Sequence, residues 1–176
     1  MKSYDMIITI DRLSLGDILT PYDIYQRQFT SARINLLLMS VLTIANIAAY
    51  WFELGFMLPF SAFLPFTIFD FGYFFSIEWA DPSVFIYGIV FASLILIFYF
   101  LGYFLSKHKP AWLTFVLAMY IVDTLIMVYL FTSVFYFNGT MILDILFHIW
   151  VLYYFVMGVR AVKKLKRLEE DSVVLE

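Results

Sequence analysis

MLPFSAFLPFTIFDFGYFF, residues 57–75, is a strongly apolar stretch that nevertheless contains two prolines and an aspartate. Whether it crosses a membrane, or enters and leaves on one side, decides how many spans the chain has. Pro59 and Pro65 would each interrupt a continuous helix. Two helical pieces of about 10 residues reach only halfway through the hydrocarbon core. Residues 54–77 are therefore predicted to form a re-entrant or interfacial hydrophobic helical hairpin.

Composition places the chain in a membrane. Of its 176 residues, 64% are hydrophobic, 22% aromatic and 14% charged, and the mean hydropathy is +0.90. Soluble domains are about 45–50% apolar, and a domain of this size could not bury so much apolar surface. The absence of cysteine excludes disulfides, a thiolate nucleophile and a cysteine-based zinc site. A net charge of −3 gives no indication of nucleic-acid binding.

Four further segments are long and apolar enough to be membrane spans, namely 34–52, 84–106, 111–133 and 140–159. Pro21, Pro82 and Pro110 stand at predicted helix starts, where the missing N–H costs nothing. The predicted fold is an all-α membrane protein with four transmembrane helices and the additional hairpin between helices 1 and 2. We find no linker or internal repeat, so residues 1–176 are predicted to form a single domain.

The basic residues indicate the orientation, because Lys and Arg accumulate in short cytoplasmic loops. Four precede the first span, two lie between the second and third, and five follow the fourth. All eleven fall on one side if residues 54–83 begin and end on the other. We therefore expect a multi-pass protein of the cell membrane with both termini cytoplasmic. Segment 1–32 would be cytoplasmic or interfacial, and residues 160–176 would form a cytoplasmic tail.

Polar residues inside the apolar segments are the candidates for function, because a charge at a helix centre costs about 2.5–3.5 kcal/mol on insertion scales. On the outer side this topology collects five carboxylates and no Lys or Arg. They are Glu53, Asp70, Glu78, Asp81 and Asp144. The candidate residues for binding or proton relay are Asn46, Asp70, Asp123, Asp144 and His148.

Asp144 and His148 are spaced i, i+4 and so share a helix face. They could form a metal half-site, with Asp123 or Asp70 as further ligands, or a carboxylate that orients an imidazole. The alternative is structural, since a first-turn aspartate favours the helix dipole and can bond the histidine. No cofactor is expected unless this pair binds a divalent metal.

Asp123 lies near the middle of the third span. Two readings stay open for it. It could be a buried, protonated acid that ties this span to Asn46, Thr43 or Ser93, since polar side chains join membrane helices. It could instead be a relay for protons or cations.

Three short motifs, ARINLLL (32–38), SAFLPF (61–66) and FHIWV (147–151), resemble an uncharacterised family of small multi-pass bacterial integral membrane proteins. The resemblance extends over about residues 31–166. It implies a bacterial membrane, and it implies no activity.

Three functions follow from these features. The first is a non-enzymatic accessory component that binds another membrane protein, or itself as a dimer, within the lipid bilayer. The second is a unit that binds or transports a cation or an amine-bearing solute through the outer carboxylates. The third is an intramembrane Asp/His metal-dependent hydrolase or transferase acting on lipid. The first is favoured, because no complete set of catalytic residues is present.

Overall fold

The computed structural model of the chain describes residues 20–133 and 139–174. Of these residues, 87% are helical and none lies in a β-strand. The helices in the described ranges are α1 Pro21–Trp51, α2 Phe63–Glu78, α3 Pro82–Ser106, α4 Ala111–Ser133 and α5 Gly139–Val174. The predicted N-terminal segment 1–32 is thus described from residue 20 onward, and the predicted tail as far as residue 174.

Helices α1, α3, α4 and α5 are each long and apolar enough to cross a membrane. They contain the four predicted spans except for Phe52, so the prediction of an all-α, multi-pass membrane protein is confirmed. α1 and α5 have 31 and 36 residues, more than the roughly 20 that a span needs. Their additional turns contain residues 21–33 and 160–174.

Two helix starts follow local capping rules. The Thr20 hydroxyl accepts a hydrogen bond from the Asp23 N–H (3.2 Å), and the Asp23 carboxylate accepts one from the Thr20 N–H (3.0 Å). Pro21 then occupies the first helical position of α1. At α3, Asp81 accepts from the Ser83 hydroxyl (2.6 Å) and the Ser83 N–H (2.9 Å). These two bonds, the hydroxyl bond first, hold the pKa of the Asp81 carboxyl below its usual value.

Between α1 and α3 the chain forms a non-helical segment, residues 52–62, and then the 16-residue helix α2. We expected two short helical pieces here, whereas the structure has one helix. Pro65 is the third residue of α2, and a first-turn residue has no intrahelical bond to lose. Pro59 lies in the non-helical segment. α2 is about 24 Å long, less than the hydrocarbon thickness, and its place relative to the bilayer stays a prediction.

The segment between α1 and α3 leaves and rejoins the bundle at the same end. Trp51 at the end of α1 stacks on Phe85 in the first turn of α3, with ring centroids 5.5 Å apart. We call this the acidic end, and it includes residues 79–81 and the last turn of α4. The opposite end, which we call the basic end, includes residues 107–110, the first turns of α1 and the last turns of α5. Every Lys and Arg of the described residues lies in this basic half of the bundle.

Small residues allow the helices to approach closely. A Cβ atom added to Gly72 of α2 would lie 2.8 Å from the Cα atom of Gly88 of α3, so the two backbones are in contact. Likewise a Cβ atom on Gly158 of α5 would overlap the Cβ atom of Ala32 of α1. Close backbone approach is typical of membrane helix pairs, whose association depends on van der Waals packing. The interior of the bundle is filled by a buried hydrophobic cluster. Its members are Leu36, Met39, Ala62, Tyr99, Val116, Tyr120, Val151 and Phe155.

Arg33 of α1 closes the C-terminal end of α3. Its Nη2 donates to the Tyr103 carbonyl oxygen (3.0 Å), and its Nε donates to the Ser106 Oγ (3.0 Å). Its guanidinium also lies over the rings of Tyr103 (4.9 Å) and Phe29 (5.7 Å). A cation at a helix C-terminus is favourable, because the last carbonyls carry partial negative charge.

Candidate functional site

Asp123 of α4 is fully buried, with 0% of its surface exposed, and its carboxylate meets the N-terminus of α2. Oδ2 accepts from the Phe63 N–H (3.2 Å), and Oδ1 accepts from the Leu64 N–H (2.6 Å). These are the first two residues of α2, and the cap residue Ala62 offers no side-chain acceptor of its own. Asp123 therefore supplies the cap from a neighbouring helix, where the helix dipole also favours a negative group.

His148 of α5 completes the environment of this carboxylate. Its Nε2 atom lies 3.1 Å from Asp123 Oδ2, and its Nδ1 atom lies 2.9 Å from the main-chain oxygen of Asp144. A carbonyl oxygen can only accept, so Nδ1 carries a hydrogen. The Nε2–Oδ2 contact then needs one further proton, which belongs either to the imidazole or to the carboxyl. Asp123 and His148 thus share one proton, and the pair is neutral overall in either arrangement.

Aromatic rings enclose this pair. The Tyr120 ring stacks on the His148 ring, with centroids 5.2 Å apart and planes at 7°. Phe155 meets the Tyr120 ring edge to face at 5.4 Å. The Tyr120 hydroxyl is buried and has no hydrogen-bond partner among the residues that the structure describes. The rings exclude water from the pair and so strengthen its electrostatic interaction.

Two residues of α1 bind the chain just before α2. Asn46 Oδ1 accepts from the Leu58 N–H (2.7 Å), and Asn46 Nδ2 donates to the Leu58 carbonyl (2.8 Å) and the Ser61 Oγ (2.9 Å). Thr43 Oγ1 accepts from the Ala62 N–H (2.8 Å). Together with Asp123 and His148 these residues form what we call the inner clamp. Three of its side chains, Thr43, Asn46 and Asp123, hydrogen bond directly to main-chain atoms. These atoms belong to residues 58, 62, 63 and 64.

The chemistry of the inner clamp is that of a closed hydrogen-bond network with one shared proton. Both nitrogens of His148 are occupied, so the imidazole would have to break a bond to ligate a metal. In the described ranges no group of three or more His, Cys, Asp or Glu side chains lies close enough to hold a metal ion. The arrangement can hold a proton and fix the path of residues 58–64.

The structure brings three of the five candidate residues into one network and leaves two outside it. Asn46, Asp123 and His148 belong to the inner clamp. Asp144 contributes its main-chain carbonyl to His148, rather than the carboxylate that the i, i+4 spacing suggested. Asp70 lies elsewhere, on α2, with the Tyr50 hydroxyl as its polar neighbour.

We expected Asp123 to bond Asn46, Thr43 or Ser93 directly, whereas its partners are the Phe63 and Leu64 N–H groups and His148. Thr43 and Asn46 hold the same main-chain segment from the other side, at residues 58, 61 and 62. Ser93 instead lines an apolar cavity of about 360 Å³ between α1 and α3. The roles of the candidate residues in binding or proton transfer stay predictions.

Sequence reasoning missed Tyr120 and the main-chain N–H groups of residues 62–64. Tyr120 lies three residues before Asp123 on the same helix face, and this spacing is a signal that could have found it. The main-chain donors carry no such signal. They are available because α2 begins at residue 63, a start that the sequence did not indicate.

Comparisons with known proteins gave no match: no family model fits the chain, no curated protein is significantly similar to its sequence, and no solved structure is significantly similar to its fold. The resemblance to small bacterial membrane proteins therefore stays an expectation from the sequence. The class of protein that the fold defines is a four-span, all-α membrane protein.

Proposed function

We propose that this protein is a non-enzymatic component of a cell membrane that binds another membrane protein, and that both termini are cytoplasmic. Four apolar helices and the collection of described Lys and Arg residues in one half of the bundle support this topology. In this orientation the acidic end faces the outside of the cell.

One observation carries the proposal: the polar side chains of the interior hold a segment in place. Thr43, Asn46 and Asp123 each bond main-chain atoms between residues 58 and 64. An enzyme of this size would need interior polar groups directed at a substrate, whereas these groups are directed at the chain itself. Their effect is to fix residues 52–57, which precede the clamped stretch.

Residues 52–57, which we call the presented segment, combine irregular backbone with exposed apolar side chains. The exposed fractions are 69% for Phe52, 55% for Leu54, 52% for Phe56 and 61% for Met57. Irregular backbone does not face lipid in the hydrocarbon region, because its polar groups would lack partners. Exposed apolar side chains at such a place favour coverage by another protein.

The proposed topology can be tested with single cysteines, since the chain has no cysteine of its own. We expect an impermeant maleimide added to intact cells to label Glu53→Cys and to leave Lys107→Cys and Glu169→Cys unlabelled. Lysed cells should give labelling at all three positions. Labelling of both Lys107→Cys and Glu169→Cys in intact cells would show that residues 54–77 cross the membrane and overturn the topology.

Partner binding can be tested with a photo-activatable amino acid placed in the presented segment. Position 56 should give a discrete protein adduct in native membranes, whereas Val90, which is 54% exposed on α3, should give lipid adducts alone. Asn46→Ala should reduce the adduct at position 56, because it frees the clamped segment. Equal adducts at positions 56 and 90, or none at either, would contradict the proposal.

A second candidate function is the binding of a cation or amine-bearing solute at the acidic end. It is favoured by Glu53, Glu78 and Asp81, which lie there without a Lys or Arg among the described residues. Glu53→Gln, Glu78→Gln or Asp81→Asn should then reduce stabilisation of the protein by the solute in a thermal unfolding panel. Variants that respond like the parent would exclude this candidate.

A further inference from the structure

Asp70 and the last residue, Glu78, are the two charged residues of α2. Asp70 lies seven residues after Phe63, about 10 Å along α2 from the buried Asp123, and eight residues before Glu78. It is half-buried, whereas Phe74 and Ile77 are 55% and 64% exposed. The spacing 70, 74, 77 places all three residues on one face of α2.

The polar group of the bundle that interacts with this carboxylate is the hydroxyl of Tyr50. An ionised carboxylate has about four acceptor positions, so most of its capacity is free for a further partner. Tyr50 and Tyr73 flank the site, with ring centroids 6.3 Å apart, and each is more than one-third exposed.

No cation of the described chain pairs with Asp70. Of the ion pairs found there, one joins His148 to Asp123 and the other joins Lys166 to Glu170. The described Lys and Arg residues lie in the basic half of the bundle, and the helices packed against α2, which are α1, α3 and α4, bring none to its level. In the predicted topology α2 enters the membrane, where a charge normally pairs with a group of opposite sign or faces a cavity.

We propose that the face formed by Asp70, Phe74 and Ile77 binds a membrane helix of another protein that carries a Lys or Arg opposite Asp70. This inference rests on the proposed function and specifies its partner. Phe74 and Ile77 pack against the apolar part of that helix, and Asp70 accepts hydrogen bonds from its basic side chain. The exposed edges of Tyr50 and Tyr73 lie beside the cation, which aromatic rings also stabilise.

A second copy of this chain fits the face less well. Two copies in the same orientation would bring one Asp70 towards the other, and like charges destabilise a contact. Their Lys and Arg residues would lie at the basic end, about half a membrane away from either carboxylate. The basic helix must therefore come from a different chain.

A model helix tests this chemistry without knowledge of the natural partner. The purified protein is placed in phosphatidylcholine vesicles with a labelled leucine–alanine helix of about 23 residues that carries one lysine a third of the way along. A matched helix carries methionine instead, and association is measured by energy transfer. We expect the lysine helix to bind about 3- to 30-fold more tightly than the methionine helix, the range of interhelical polar contacts in membranes.

Matched variants identify the residue responsible. Asp70→Asn should bring the ratio close to one, while Glu78→Gln, at the exposed end of the same helix, should leave it unchanged. The inference would be overturned if Asp70→Asn kept the same lysine-to-methionine ratio as the parent protein, or if the parent protein showed no preference for the lysine helix.

The same variant separates this inference from the proposed function. If the natural partner cross-linked at position 56 is captured equally by the parent and by Asp70→Asn, the basic-helix inference is wrong and partner binding stands. If no partner is captured while the lysine preference depends on Asp70, the proposed partner at the presented segment is wrong and the basic-helix site stands. Both proposals are supported if Asp70→Asn loses capture of the partner, and if capture returns when position 70 is made basic and the partner's basic residue is made acidic.

Discussion

Two helix ends in this bundle are closed by an ionisable side chain from another helix, and they differ in depth. At the start of α2, Asp123 of α4 accepts hydrogen bonds from two main-chain N–H groups. At the end of α3, Arg33 of α1 donates to a main-chain carbonyl and to the Ser106 hydroxyl. Each charge has the sign that the helix dipole favours at its end.

The difference lies in what each cap needs besides the helix. Arg33 is partly exposed near the basic end, always charged, and placed over two aromatic rings. Asp123 is fully buried, so its charge requires a neutralising partner, and His148 provides it with a shared proton. Burial therefore turns the same capping device into a site that holds a proton.

The largest effect is expected at the buried cap. Asp123→Ala would leave the Phe63 and Leu64 N–H groups and the His148 Nε2 atom without partners, and breaking a buried pair costs about 3–5 kcal/mol. Thermal unfolding in a mild detergent would measure the loss. Thr132→Ala, on the exposed face of the same helix, is the control and should be close to neutral.

The next largest effect is expected at Asn46 of the inner clamp. Asn46→Ala removes three hydrogen bonds to residues 58 and 61, and leaving a buried main-chain N–H unpaired costs about 1–3 kcal/mol. Hydrogen exchange should accelerate in residues 58–64 before it does so elsewhere. Asn35→Ala, which removes a bond within α1 alone, should leave that segment protected.

The variant Asp123→Asn tests whether the shared proton belongs to the imidazole or to the carboxyl. An amide can donate to a neutral His148 Nε2 atom as a protonated carboxyl does, but it has no negative charge to balance an imidazolium. If the pair is ionic, Asp123→Asn and His148→Gln should show a coupling of about 0.5–3 kcal/mol in a double-mutant cycle of unfolding free energies. A coupling near zero, with Asp123→Asn as stable as the parent, would assign the proton to the carboxyl.

A smaller effect is expected at the exposed cap. Arg33→Lys keeps the charge but loses the planar fork that bonds Tyr103 and Ser106 together, so we expect a loss of about 1 kcal/mol in unfolding free energy. Arg27→Lys, exposed on the same helix, is the matched control and should change little. A loss at Arg33 as large as that of Asp123→Ala would contradict the distinction by depth.

The smallest effect concerns Asp81, a third cap, which lies in water at the acidic end. Its pKa is below its usual 3.8, so its capping contribution is complete above that value and is lost as the pH falls through the folded pKa. The Ser83 amide resonance should follow this titration in the parent protein and stay constant in Asp81→Asn. A midpoint above 3.8 would reverse the sign that the hydrogen bonds imply.

Much of the fold could be predicted, because membrane spans depend on local composition. The apolar runs predicted the four long helices, and Pro21 and Pro82 marked two of their starts to the residue. The start of α2 could not be predicted in this way. Ala62 is no local cap, and the acceptor for the first turn comes from Asp123, 60 residues away from Phe63 along the chain.

The candidate site could likewise be predicted only in part. The sequence by itself determined that Asn46, Asp123 and His148 are polar groups at membrane depth, because hydrocarbon makes such residues costly and therefore conspicuous. Only the tertiary structure decided that His148 pairs with Asp123 rather than with the Asp144 carboxylate. Helical spacing specifies neighbours on one helix, whereas partners on different helices depend on packing that no local pattern encodes.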